Sequence, residues 1–137
     1  MTLIEVLISI VLLGLGVAMM LTLLSVTITA SATERDHANA HAWLQTASDV
    51  LYGAPRADCT TGEQAVFDQY EPIVKSSNNP EGWDPSNIVI VRPILFWDGD
   101  IYQSTCYDDK NINLQLITIQ VKNPAGKIVE SVQVVKG

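Results

Sequence analysis

Val6-Leu-Ile-Ser-Ile-Val-Leu-Leu-Gly14-Leu-Gly16-Val-Ala-Met-Met-Leu-Thr22-Leu-Leu-Ser-Val-Thr-Ile-Thr-Ala-Ser-Ala-Thr33 contains no charged residue, and the apolar run before it, Met1-Thr-Leu-Ile-Glu5, holds one acid. As a helix this stretch rises about 42 Å at roughly 1.5 Å per residue, enough to cross a hydrocarbon core of about 30 Å. Glu5 therefore lies near one end of a membrane-length helix. An ionised carboxylate in lipid costs on the order of 2.5 kcal/mol or more unless it is paired or near the interface. Its natural partner is a positive group brought by another molecule. The plainer reading is a single-pass anchor whose Glu5 is hydrated at the membrane surface. Gly14 and Gly16 are the weakest helical points of the run, each costing roughly 1 kcal/mol relative to Ala, or they serve close packing against neighbouring helices.

Past Thr33 the helical pattern continues but changes character. Ala40, Trp43, Leu44, Ala47, Val50 and Leu51 recur at three- and four-residue steps and so share a face, while Asp36, Asn39, Gln45 and Asp49 fall largely off it. Gly53 and Pro55 supply a stop. One helix of about 80 Å from Met1 to Tyr52 follows. Its first half, 1–33, is apolar on every side and must be buried by lipid or by copies of itself, whereas 34–53 is amphipathic.

The C-terminal part reads as β structure. Asn87–Trp97 and Ile101–Tyr107 flank the turn Asp98-Gly99-Asp100, and Leu114–Lys122 and Lys127–Lys136 flank Asn123-Pro124-Ala125-Gly126. Pro93 argues for an edge or a break. Ile117, Ile119 and Val121 alternate with Thr118 and Gln120, so one side faces a core, most simply the Trp43, Leu44, Ala47, Val50 and Leu51 face of the helix. The alternation slips at Leu116-Ile117, as at a bulge. The expected fold is α+β: a long N-terminal helix packed on a small antiparallel sheet, a meander of about four strands over 87–137, with 34–137 forming one globular domain. Residues 54–86, rich in Gly, Pro, Asn and Asp, read as the connection, with Phe67, Tyr70 and Trp83 tucking onto the domain or onto a neighbouring subunit.

Composition narrows the function classes. The chain of 137 residues has room for one core, and its 47% hydrophobic content is inflated by the N-terminal run. All eight Lys and Arg residues and fourteen of the fifteen acids fall from Glu34 onward, leaving that part at a net charge of −6. That sign repels nucleic-acid phosphates, so no nucleic-acid partner is expected. The apolar core is also longer than that of a cleavable secretory signal, typically about 7–15 residues. His37 and His41 have the spacing of a two-His clamp but lack a third ligand and a base. Asp98-x-Asp100 and Asp108-Asp109 are acidic enough for calcium, yet turns recruit Asp without metal. No catalytic constellation, metal site or cofactor is expected. Cys59 and Cys106 are the only cysteines. In an exported domain they would form a disulfide closing a loop of about 48 residues, worth roughly 4 kcal/mol in the chain-entropy model. Two buried thiols or a metal pair are the competing readings, the latter lacking nearby His or Cys to complete a tetrahedral set.

Thr2-Leu3-Ile4-Glu5-Val6-Leu7-Ile8 resembles the N-terminus of type IV pilins and the related pseudopilins, over roughly the first 25 residues. The family usually has Phe at the first mature position and a Pro two-thirds along the apolar helix, where this chain has Met1 and Thr22. The resemblance implies that Met1 is the N-methylated terminus left by leader cleavage and that Glu5 is the assembly residue, neutralised by a neighbour's α-amine inside a helix bundle. It implies a structural subunit of a type IV pilus-like filament serving adhesion or motility at the cell surface, held as a single-pass protein in the membrane before assembly. It further implies a prepilin peptidase, an assembly ATPase, a membrane platform and other pilins as partners. The Cys59–Cys106 bridge would resemble the disulfide many pilins place around a variable loop. Two alternatives share the helix: a minor pilin or pseudopilin of a type II secretion or DNA-uptake system, and a membrane-anchored binding domain that never polymerises.

Overall fold

A computed structural model describes residues 2–60, 62–106 and 114–137. Helix α1 runs Leu3–Gly53 and α2 runs Glu63–Lys75; four strands follow, β1 at Ile88–Trp97, β2 at Tyr102–Gln103, β3 at Gln115–Lys122 and β4 at Val129–Lys136. Contacts divide the chain into two compact units, Met1–Arg35 and Asp36–Gly137.

In the first unit the helix is unbroken through Gly14 and Gly16. Every large apolar side chain from Leu3 to Ile28 is exposed, between 43% and 84%. An apolar surface of that size needs a cover other than water. Several hydroxyl groups along it bond back to the helix: Ser9 Oγ donates to the Glu5 carbonyl at 2.8 Å, and Thr22, Thr27 and Thr33 Oγ1 donate four residues back at 2.9, 2.9 and 3.0 Å.

The second unit is the expected α+β domain, a helix on a four-stranded antiparallel sheet. Its core joins Ala40, Trp43, Leu44, Ala47 and Leu51 of α1, Val66, Tyr70 and Val74 of α2, and one face of the sheet. Strict alternation aims that face: Gln115, Ile117, Ile119 and Val121 of β3 are buried while the residues between them are half-buried. Val50, expected on the helix-sheet contact, is 40% exposed. At about 100° per residue it lies roughly 80° from the centre of the buried stripe, and Leu51 takes the place beside Ala47.

Three details depart from the sequence reading. The strand order is β2-β1-β3-β4, so β3 pairs with β1 and the sheet is not a simple meander. The β2 hairpin folds back on the outer edge of β1 and pairs only at Phe96 and Trp97, whereas the β1–β3 register covers Ile88 to Phe96. The bulge falls not at Leu116-Ile117 but across from it in β1, where the register shifts between Val91 and Leu95 around Pro93. Leu116 breaks the apolar alternation because it sits on the opposite face, paired with Leu95 and Val135. Finally, the connection expected over 54–86 contains α2. Its apolar residues Val66, Tyr70 and Val74 recur every fourth position, and Pro72 sits inside it near its C-terminal end. Phe67 packs against the core, and Tyr70 and Trp83 are buried in it.

Candidate functional site

The N-terminal turn of α1 places Glu5 three residues after Thr2, which precedes the first helical residue. Thr2-x-x-Glu5 is the spacing of a capping box, in which the acid reaches back to a backbone N–H that the helix leaves without a partner. The Thr2 N–H donates to Glu5 Oε2 at 3.4 Å, a long bond, and the Glu5 N–H donates to the Thr2 carbonyl at 3.0 Å. A negative charge in this turn also complements the helix dipole. Glu5 therefore has an intrachain role that the sequence reading overlooked, although the Thr-x-x-Glu spacing signals it. Its carboxylate is exposed, as is the apolar surface following it. Met1, the expected counter-charge donor, lies outside the described residues.

The C-terminal half of α1 is fastened to the domain by polar contacts at both ends and apolar ones between. At its start Asn123 Nδ2 donates to Asp36 Oδ2 at 2.8 Å, and His37 Nδ1 lies 2.8 Å from Glu130 Oε1. Asn123 holds the β3–β4 turn as well: its Oδ1 accepts from the Lys127 and Ile128 N–H groups at 2.8 and 3.0 Å. Midway, Trp43 Nε1 donates to Ser77 Oγ at 2.9 Å, and the Trp43 ring meets Trp83 edge-on with centroids 6.0 Å apart. At the end, Lys136 Nζ donates to the Tyr52 and Ala54 carbonyls. The helix has no basic residue in its own last turn, so β4 supplies the cation that its C-terminal dipole favours. Lys136 is 6% exposed, and its place on the inward register, opposite Gln115, is what turns it toward the helix.

A second buried polar group ties the Ala54–Thr60 segment to the sheet. Tyr70 Oη accepts from the Ala57 N–H at 2.7 Å and donates to Gln115 Oε1 at 2.9 Å, while Gln115 Nε2 donates to the Ala57 carbonyl at 2.7 Å. Burial pushes the Tyr70 hydroxyl above its ordinary value, opposed by the Ala57 N–H and by Arg56 nearby. Neither Lys136 nor Gln115 was picked out by composition, but both lie in the frame of the buried positions Ile117 and Val134. The disulfide Cys59–Cys106 completes the attachment, with Cα atoms 5.7 Å apart at a sequence separation of 47.

The other residues with metal-ligand chemistry are accounted for by local structure. His37 faces Glu130, and His41 is exposed one turn on. Asp98 Oδ1 accepts from the Asp100 and Ile101 N–H groups at 2.9 and 2.8 Å, which holds its carboxyl below the ordinary value and makes it the staple of the β1–β2 turn. Asp108 and Asp109 lie outside the described residues. Among the described residues no three His, Cys, Asp or Glu side chains are grouped to hold a metal.

The chain matches no protein-family model, no curated protein and no solved structure. What its geometry defines is a long N-terminal apolar helix on a small antiparallel sheet with a disulfide, compatible with a pilin-like fold. One helix near the N-terminus is long and apolar enough to cross a membrane.

Proposed function

We propose that the protein is a structural subunit of a type IV pilus-like filament, held in the membrane by the first half of α1 and polymerising through that same half. The observation that carries this reading is the helix of the first unit: no charge between Glu5 and Glu34, every large apolar side chain exposed, and one acid in its first turn. Lipid covers such a surface before assembly, and copies of the same helix cover it afterwards, so transfer between the two keeps it out of water. Glu5 gives the bundle its axial register. A like helix with no polar feature would slide by whole turns at little cost, whereas a carboxylate that must meet a neighbour's N-terminal amine is satisfied at one offset. The amphipathic half of α1 and the disulfide-tied domain then form the outside of the filament. The peptidase, assembly ATPase and membrane platform named above belong to this reading, and no catalysis is assigned to the subunit.

The two roles of Glu5 separate cleanly by substitution. Gln at the third helical position preserves a capping box but carries no charge. Glu5→Gln and Glu5→Ala are both expected to insert in the membrane and to reduce sheared surface filaments by about tenfold or more, the order of 1.4 kcal/mol per subunit contact. If Glu5→Gln assembles normally and only Glu5→Ala fails, Glu5 is a helix cap and the register role is wrong. If both assemble normally, Glu5 is incidental to assembly and the register role is wrong; if the parent chain itself yields no sheared filaments, the chain is an anchored domain.

A further inference from the structure

The sheet of the Asp36–Gly137 unit ends on one side in a strand that nothing guards. β4 pairs with β3 without a register shift, from Lys122 opposite Val129 to Gln115 opposite Lys136. Among the described residues its backbone makes no hydrogen bond other than to β3. Edge strands are ordinarily protected by Pro, by a bulge or by charged side chains. β4 has no Pro or Gly, and its outward-facing residues Val129, Ser131, Gln133 and Val135 carry no charge. Its two charged residues, Glu130 and Lys136, are engaged with His37 and with the end of α1. An open ladder of this length fixes the chemistry of what covers it, which is another extended strand.

The topology decides which strand. α1 runs in the same direction as β4, since His37 meets Glu130 and the Tyr52 carbonyl meets Lys136. Copies that enter a filament through α1 therefore hold their β4 strands in one sense, and two β4 strands cannot pair antiparallel. Where such copies stand side by side, the edge that faces β4 is the opposite edge of the next sheet, whose outermost strand is β2. β2 is antiparallel to β1, β1 to β3 and β3 to β4, so the next copy presents β2 antiparallel to β4. Both lie at the same end of the sheet, because Gln103 pairs with Phe96, Phe96 with Gln115 and Gln115 with Lys136. Ser104 and Thr105, which continue β2, are exposed, and residues 101–105 carry no charge. On a chain whose net charge is −6 from Glu34 onward, two uncharged edges meet with the least repulsion.

We infer that β4 of one copy takes the 101–105 segment of the next as an added antiparallel strand, so that the sheets of neighbouring subunits join around the filament. The contact is heterologous: one edge meets a different edge, an arrangement that repeats from copy to copy and suits a helical assembly. This inference rests on the proposed filament and names the contact between its domains, as α1 supplies that between its helices. The pleat selects the residues that meet. Gln103 shares the inward side of the sheet with Lys136, so Ser104 is on the outward side and lies opposite Ser131, Gln133 or Val135, according to the register.

Cysteine pairs test this contact. Residues directly opposed on adjacent antiparallel strands have Cα atoms about 4.5–5.5 Å apart, inside the limit of about 7 Å for a disulfide. Ser104→Cys is combined in the full-length chain with Ser131→Cys, Gln133→Cys or Val135→Cys, and intact sheared filaments are treated with a mild oxidant. These positions are all exposed, so the substitutions leave the core untouched, and Cys59 and Cys106 are bonded to each other and offer no competing thiol. One pair is expected to give a ladder of linked chains at least about tenfold above either of its single variants. Filaments of normal yield that give no ladder with any pair would overturn the strand contact and leave the filament standing. Dimers from Gln133→Cys alone would place two β4 strands together and overturn it as well. A parent chain that yields no sheared filaments would overturn the filament reading itself.

Discussion

Tyr70 shows how one side chain can hold a segment without regular structure. Its hydroxyl is the hub between Ala57 and Gln115, at 2.7 and 2.9 Å, in a site closed to water. Removing it leaves a buried N–H and a buried amide oxygen without a partner, so Tyr70→Phe is expected to cost about 1–3 kcal/mol at neutral pH. The same residue sets an alkaline limit. Because burial raises its folded value above the ordinary 10.0, its contribution is fully present below that pH and is lost as pH rises through the folded value. Denaturation of the full chain in detergent micelles, followed through the buried Trp43 and Trp83, should show wild-type stability falling above about pH 10 and Tyr70→Phe less stable but flatter there. Equal slopes for the two would show that Tyr70 does not titrate with unfolding.

Among the elements, α2 and β2 separate what the sequence made legible from what it did not. The long helix was readable because two signals agreed, apolar content to Thr33 and then the Ala40, Trp43, Leu44, Ala47, Leu51 spacing. Strands β3 and β4 were readable from the alternation of Ile117, Ile119 and Val121 and from the Pro124 and Gly126 turn between them. Helix α2 was hidden by its surroundings: Gly62 before it, Pro72 inside it and Asn-rich turns after it outweighed a stripe of only three buried residues. Strand order was hidden for a different reason. Two residues of β2 bury little, so the pairing of β3 with β1 is decided by long-range contact among Ile88, Ile90, Ile117 and Ile119, which no local pattern encodes. Of the candidate site, Glu5 was legible as an isolated charge, but its cap was not recognised until the helix start was placed at Leu3. The disulfide was legible as a pair of cysteines whose bridge would pin the segment after α1. Closing 47 residues, it should contribute about 4 kcal/mol by chain entropy. Reduction under native conditions, with reoxidation blocked, should lower the denaturation midpoint accordingly; an unchanged midpoint would mean that the Tyr70–Gln115 contacts alone hold that segment.

At the scale of the whole molecule, two units with opposite solvent requirements share one helix. The Asp36–Gly137 unit buries its apolar residues and presents acids to water, and the Met1–Arg35 unit exposes its apolar residues on all sides. That arrangement defines a protein that needs a second environment, and the proposed filament supplies one when lipid is left behind. The measurement that tests this most directly is to shear surface filaments from the native cells and weigh the chain, by intact mass, in the sheared and membrane fractions. The account predicts abundant chain in the sheared fraction, still carrying the apolar half of α1 and lighter by two hydrogens for Cys59–Cys106. A sheared fraction without it, with the chain retained in the membrane, would contradict the filament and leave a membrane-anchored domain.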